Sequence, residues 1–287
     1  MEWKTTWNDP LTRYLAPYHE LIGDQRTGTT FQETIRGIIG AGSLICQQIA
    51  AHSPVLAQGK KGAQRVIRLA AGESTQRSEL DAVHLTQQLR QGAVEHLAQA
   101  PEQELWLVAD CSDLRKPYAT EMPYLMQVAD LDGKGLVPGY RTLNVLGITP
   151  GRRGILYHRL FSSQAPGFVS EPAEVQAALQ TVSQALTPLK ASKIVTWITD
   201  RGFDDVAVWR TIREQHDHVV CRIYHTERIV TWQDQQGNWL QGPLAQAQGQ
   251  MRHLARVETT RGACSAASSA IPSGNRCKST LRPVRCD

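Results

Sequence analysis

No apolar stretch in the sequence reaches the roughly 18 residues that a bilayer-spanning helix needs. The nearest candidate, Ile38 to Ala51, is broken by Gly40, Gly42, Gln47 and Gln48. The first residues, Met1-Glu2-Trp3-Lys4-Thr5-Thr6, lack the charged-then-apolar pattern of a signal peptide. Both absences point away from membrane and secreted proteins and towards a cytoplasmic one. There is no Cys-x-x-Cys pair, so zinc ribbons and dithiol redox motifs have no support. Cys46, Cys111 and Cys221 stand alone in apolar surroundings, as buried reduced thiols do, while Cys264, Cys277 and Cys286 crowd the end of the chain. An excess of one charge is also missing. The formal net charge is +4, and the end of the chain from Glu258 accounts for most of it. Nucleic-acid contact would therefore depend on a local basic patch rather than on the total.

What is present suffices for a core. The 287 residues are 41% hydrophobic and 20% charged, the composition of one large α/β domain with an attachment or of two domains. Residues 1–100 read as helical. Thr30-Phe31-Gln32-Glu33 has the form of a capping box, and Ile35, Ile38, Ile39, Ile45 and Ile49 follow at helical spacing, with Pro54 as the stop. Lys60, Lys61, Arg65 and Arg68 then form a basic stretch that either faces phosphates or is a solvated helix face.

From Glu104 the pattern changes. Leu105-Trp106-Leu107-Val108-Ala109 predicts a buried strand ending at Asp110. Arg141 to Thr149 and Gly154 to Phe161 predict a hairpin turned at Pro150-Gly151. Glu171 to Leu189 has the spacing of an amphipathic helix, Lys193 to Thr199 predicts a fourth strand ending at Asp200, and His218 to Tyr224 a fifth after a helix capped by Asp204. The first and fourth strands can then lie parallel and adjacent, joined by a helical crossover. Arg228 to Trp232 and Trp239-Leu240 predict a further hairpin, and beyond Glu258 aromatics and periodicity vanish. The expected organisation is a helical N-terminal domain over 1–100, an α/β core over 101–225, β-hairpin material over 226–257, and a disordered or frameshifted tail over 258–287.

Two aspartates at the ends of adjacent parallel strands are a candidate metal site. Their carboxylates repel unless a divalent cation lies between them, and Mg²⁺ favours oxygen donors with positions left for water. Such a site suits phosphodiester chemistry, in which two metals about 3.5–4 Å apart serve nucleophile and leaving group. Aspartate after a strand is also a common turn or cap residue, so the flanking residues matter.

Those flanks are Ala109-Asp110-Cys111-Ser112, Ile198-Thr199-Asp200-Arg201-Gly202-Phe203-Asp204, and Gly139-Tyr140-Arg141-Thr142-Leu143-Asn144-Val145-Leu146-Gly147-Ile148. Over about residues 30–257 the chain resembles the DDE transposases of the bacterial "insertion sequence four" superfamily. The resemblance implies a ribonuclease-H-like mixed sheet with helices, preceded by a helical DNA-end-binding domain and followed by the start of a β-rich insertion. It implies Asp110 and Asp200 as catalytic, metal-binding carboxylates and Mg²⁺ or Mn²⁺ as cofactor. Double-stranded DNA, as element ends and target, is the implied partner, and a DNA-bound homodimer in the bacterial nucleoid the implied setting. The family's third carboxylate, a glutamate in a Tyr-x-x-Arg-x-x-x-Glu-x-x-x-x-x-x-Lys helix, has no counterpart here. The expectation is thus a shortened and inactive copy, frameshifted near residue 257.

Other motifs stay open at this level. Asp130-Leu131-Asp132-Gly133-Lys134-Gly135 lacks the later ligands of a calcium loop and reads as a polar loop, with Lys134 a possible DNA contact. Arg201 either meets a phosphate or pairs with Asp204 or Asp205. His216, His218, Cys221 and His225 are either zinc-like donors or structural residues, and Trp232 and Trp239 either stack on bases or pack a hairpin. Two rival functions remain: a DNA-binding inhibitor without catalysis, and a ribonuclease-H-like nuclease taking its third acid from Glu214, Glu227 or Glu258.

Overall fold

A computed structural model describes residues 3–53, 55–56, 59–71, 80–133, 135–234, 236–247, 253–259 and 262–264. The chain divides into two compact units, Met1–Leu89 and Arg90–Asp287.

The first unit is helical: α1 (Trp3–Leu21), α2 (Gln25–Ala41), α3 (Cys46–Ala51), α4 (Gly59–Ala71) and the first half of α5 (Ala82–Ala98). The predicted capping box at Thr30 is overturned. The cap of α2 lies six residues earlier, where the Asp24 carboxylate accepts from Thr27 N at 2.8 Å, and Thr30 lies inside the helix with its hydroxyl donating to Arg26 O. Glu33 serves a different purpose. It is 2% exposed and accepts from Arg36 and from the Ser53 hydroxyl, at 2.5 and 2.7 Å. The isoleucine run is also two helices rather than one. Gly42, at φ 58°, ends α2 with its N–H on Ile38 O, a left-handed position that favours glycine. Ile49, Ala50, Leu56 and Val66 form the small core between α2, α3 and α4.

The second unit is built on a mixed sheet. Its strands are β1 (Glu104–Arg115), β2 (Met126–Ala129), β3 (Leu136–Thr149), β4 (Arg152–Phe161), β5 (Ile194–Thr199) and β6 (His218–Cys221). Strand β1 is central, antiparallel to β3 and parallel to β5; β4 pairs antiparallel with β3 on the far side, and β6 parallel with β5. The order β4-β3-β1-β5-β6 is the ribonuclease-H-like mixed sheet, with β2 (a strand not foreseen from the sequence) added beside the first part of β3. Helix α6 (Glu171–Ala185) carries the chain from β4 to β5, and α7 (Val206–Glu214) from β5 to β6.

Alternation decides which face is buried. Leu105, Leu107 and Ala109 of β1, Leu143 and Val145 of β3, and Val195 and Trp197 of β5 are all nearly inaccessible. They share one core with Leu97 of α5, Leu179 and Val182 of α6, and Trp209 and Ile212 of α7. The opposite face carries Trp106, Val108, Leu146 and Ile148, all half-buried, with Ile155, Ile194 and Ile198 at 46%, 40% and 36% exposure. That open face also bears Asp110.

A second sheet, β10-β9-β7-β8, follows. Its strands are β7 (Ile229–Gln233), β8 (Trp239–Pro243), β9 (His253–Thr259) and β10 (Gly262–Cys264), with the short helix α8 (Leu244–Ala247) after β8. The hairpin expected at Asp234 is there, its carboxylate accepting from Gln236 N and Asn238 N. Backbone pairing runs past Glu258, since Ala263 of β10 pairs with Glu258 of β9. Strand pairing uses backbone groups and needs none of the apolar period that the sequence loses there. Residues 265–287, with Cys277 and Cys286, lie outside the described residues.

Candidate metal and nucleic-acid site

Asp110 is not at the end of its strand. Strand β1 continues to Arg115, but its pairing with β5 stops at Ala109, opposite Thr199. Asp110 thus follows Ala109 within β1, and Asp200 follows Thr199 just past the end of β5, so the two aspartates succeed the last paired position of two adjacent parallel strands. Ala109 and Thr199 are buried, while Asp110 and Asp200 are both exposed, so alternation turns both aspartates to the open face.

Each carboxylate has one oxygen engaged. The Ser112 hydroxyl donates to Asp110 Oδ2 at 2.6 Å, and Gly202 N–H donates to Asp200 Oδ1 at 2.9 Å. Asp110 Oδ1 and Asp200 Oδ2 remain for a ligand. Two carboxylate oxygens, one from β1 and one from the residue after β5, are the donor chemistry of one Mg²⁺ that keeps water and phosphate in its other positions. They do not by themselves complete a two-metal site, and among the described residues no group of three or more His, Cys, Asp or Glu side chains is placed to hold a metal.

The rival third acids are placed elsewhere. Glu214 closes α7, whose Val208, Trp209 and Ile212 pack on the helical side of the sheet. Glu227 is exposed and pairs with His225 at 2.9 Å. Glu258 lies on β9, paired with Ile229 and Ala263.

Behind Asp200 the chain turns through one 3₁₀ turn, Arg201–Phe203, and is fastened by buried groups. Phe203 is 3% exposed in the core. The Asp204 carboxylate accepts from Tyr224 N and His225 N at 2.7 and 2.8 Å and forms an ion pair with Arg228. Arg228 also lies over the Trp209 ring, 5.0 Å from its centroid. Asp205 caps α7 through Ala207 N. Of the two alternatives left open for Arg201, pairing with Asp204 or Asp205 is not seen, since those acids serve Arg228 and the α7 cap; Arg201 is exposed and follows Asp200.

The two cysteines near the pair are held towards the thiol form. Burial, with Glu171 adding to it, pushes the Cys111 thiol up to about 12. Burial also raises Cys221, whose thiol donates to Asp200 O at 3.3 Å. Cys221 and His225 do not join His216 and His218 in a zinc site: Cys221 is buried, and His225 is exposed with Glu227. Trp232 is buried in the core, and Trp239 is 55% exposed.

The basic residues Lys60, Lys61, Arg65 and Arg68 all lie exposed on α4 of the first unit, opposite its buried Ala63 and Val66. Arg65 donates to Val55 O at 3.4 Å. Lys134 lies outside the described residues.

The sequence reading missed Asn144 and His158 as site residues. Across the sheet Asp110 is paired with Asn144 of β3, and Asn144 with His158 of β4, so all three stand on the open face.

No protein-family model matches the chain, and no curated protein matches it. Among solved structures it is similar to a Mos1 strand transfer complex, at 16% identity over 65% of this chain with a TM-score of 0.25. A pre-cleavage Mos1 transpososome gives 15% identity over 66% with the same TM-score. The chain spans 56% and 58% of those two chains. The fold assignment rests on the strand order and pairing described above.

Proposed function

We propose that this chain is a DNA transposase of the bacterial "insertion sequence four" type, whose chemistry centres on Asp110 and Asp200. The observation that carries the reading is their placement as successors of the Ala109–Thr199 pair on the open face of a ribonuclease-H-like sheet. The flanking Asp-x-Ser and Asp-Arg-Gly-Phe sequences support it.

The reaction is displacement at a DNA phosphodiester. Water attacks the phosphorus and the 3′-oxygen leaves as a hydroxyl; that hydroxyl then attacks target DNA. A divalent cation, Mg²⁺ or Mn²⁺, held by Asp110 and Asp200 supplies Lewis-acid stabilisation of charge on the phosphate oxygens. Ser112 and Gly202 fix the rotamers of the two carboxylates, so that one oxygen of each faces the substrate. In this reading exposed Arg201 would donate to a phosphate, and Lys60, Lys61, Arg65 and Arg68 of α4 would meet the DNA backbone of element ends.

With no third acid beside the pair among the described residues, a second reading is that the chain binds DNA, as a homodimer, without cutting it efficiently. A gel shift and a nicking assay on the same duplex separate the two. Binding that survives Asp110→Ala with Mn²⁺-dependent nicking that does not is the enzyme. Binding without nicking in the unaltered chain is the inhibitor, and absence of binding refutes both.

A further inference from the structure

The open face holds an ordered polar network beside the carboxylate pair. The Asn144 amide donates through Nδ2 to Thr142 Oγ1 at 3.4 Å and presents Oδ1 to His158 Nδ1 at 2.7 Å. Thr142 in turn donates to Ser112 O at 3.2 Å, and the Ser112 hydroxyl donates to Asp110 Oδ2. With Oδ1 facing the ring, the proton sits on His158 Nδ1 and Nε2 is directed away from the amide. His158 is exposed on β4, which pairs only with β3 among the described strands.

We propose that Asn144 and His158 form a phosphate subsite that holds the DNA backbone next to the phosphodiester at Asp110 and Asp200, with His158 Nε2 as the contacting atom. The subsite rests on the reading of that pair as the DNA-cutting centre. The row Asp110, Asn144, His158 runs across three neighbouring strands, so the imidazole stands about 10 Å from Asp110 along the sheet. A strand whose scissile phosphate sits at the carboxylates places a neighbouring phosphate over this row.

The contact fixes a protonation state. Nδ1 already donates to Asn144, so Nε2 can donate to a phosphate only in the imidazolium form, which the phosphate charge favours. The groups facing the ring are neutral Asn144 from β3 and, one strand further, the Asp110 carboxylate. Tyr157 and Arg159, its neighbours along β4, turn to the helical face, where Arg159 pairs with Glu174 at 2.5 Å. Arg90 of α5 reaches the strand at Leu156 O, 2.9 Å away. The subsite therefore grips a phosphate only while the ring carries both protons, and a neutral ring offers Nε2 as an acceptor alone.

The test is fluorescence anisotropy of the full chain with a labelled DNA duplex of about two helical turns in Mg²⁺, titrated with salt near pH 6 and near pH 8.5. At the lower pH, His158→Ala weakens binding about tenfold and reduces the slope of log K against log salt by about 1. At the higher pH it matches the unaltered chain. Asn144→Ala gives the same pH-dependent loss at smaller amplitude, and His158→Lys restores binding at both pH values. Equal binding by the unaltered chain and His158→Ala at both pH values overturns the subsite and leaves the DNA reading standing. An equal loss at both pH values also overturns it, because that is the mark of a structural role. If the unaltered chain binds no duplex, the DNA reading fails and the subsite with it.

Discussion

Removing the Asp204 carboxylate tests how the Asp200 turn is held. The Asp204 side chain is 1% exposed and that of Arg228 15%. Asp204→Ala therefore leaves a guanidinium largely dehydrated over Trp209, which is itself 1% exposed. Breaking a buried pair from one side costs about 3–5 kcal/mol. The two orphaned amides add little, because Tyr224 is 64% exposed and water can replace the carboxylate there. Arg228→Met keeps much of the apolar stem over Trp209 and leaves Asp204 with its two backbone donors. It should cost less, about 1–3 kcal/mol. Urea unfolding of the full chain, followed by tryptophan fluorescence and far-ultraviolet circular dichroism, measures both. A loss below about 1 kcal/mol for Asp204→Ala, the range of exposed ion pairs, would refute the buried-hub account.

Burial raises the Asp217 carboxyl even though Lys190, at 2.9 Å, and Trp197, at 3.1 Å, both lower it. A raised folded-state pKa means stability that is complete below the unfolded value and lost as pH rises through the folded one. The stability difference between the unaltered chain and Asp217→Asn should then move against the unaltered chain from about pH 4 upwards; a pH-independent difference in urea midpoints would contradict this. On the open sheet face, Ile194→Thr with Ile198→Thr should cost under about 2 kcal/mol, because both side chains are more than a third exposed. The pair should also lower light scattering of concentrated protein; unchanged scattering would show that this apolar face does not drive association.

The sheet was legible because its signals are local. Apolar runs, the Pro150-Gly151 turn and the Ser170–Asp200 crossover place four strands in order, and parallel pairing of β1 with β5 follows from that order. The carboxylate pair was legible for the same reason. Asn144 and His158 were not, because their pairing depends on a bulge. Near the turn Leu146 opposes Ile155, but past the irregularity between Val145 and Leu146, Val145 opposes Tyr157 and Asn144 opposes His158. An unbulged hairpin would set Asn144 against Tyr157 and turn His158 to the other face. The start of α2 was misread for a different reason. Thr30 and Glu33 have the spacing of a cap, yet Asp24 fills that role and Glu33 is buried against Ser53, a partner twenty residues away. Asp204 shows the same limit: the sequence suggests it as the cap of α7, but Asp205 supplies that cap and Asp204 pairs with Arg228, 24 residues further on and just before β7.

Whether Asp110 and Asp200 jointly hold a divalent cation is tested most directly by Mn²⁺ binding, measured by electron paramagnetic resonance on the full chain and independent of activity. One Mn²⁺ should bind the unaltered chain, with affinity lowered about tenfold or more by either Asp110→Asn or Asp200→Asn alone. The double variant should lose little beyond the singles, since both carboxylates serve one ion. Mn²⁺ binding that is unchanged in the double variant, or absent from the unaltered chain, would contradict joint binding.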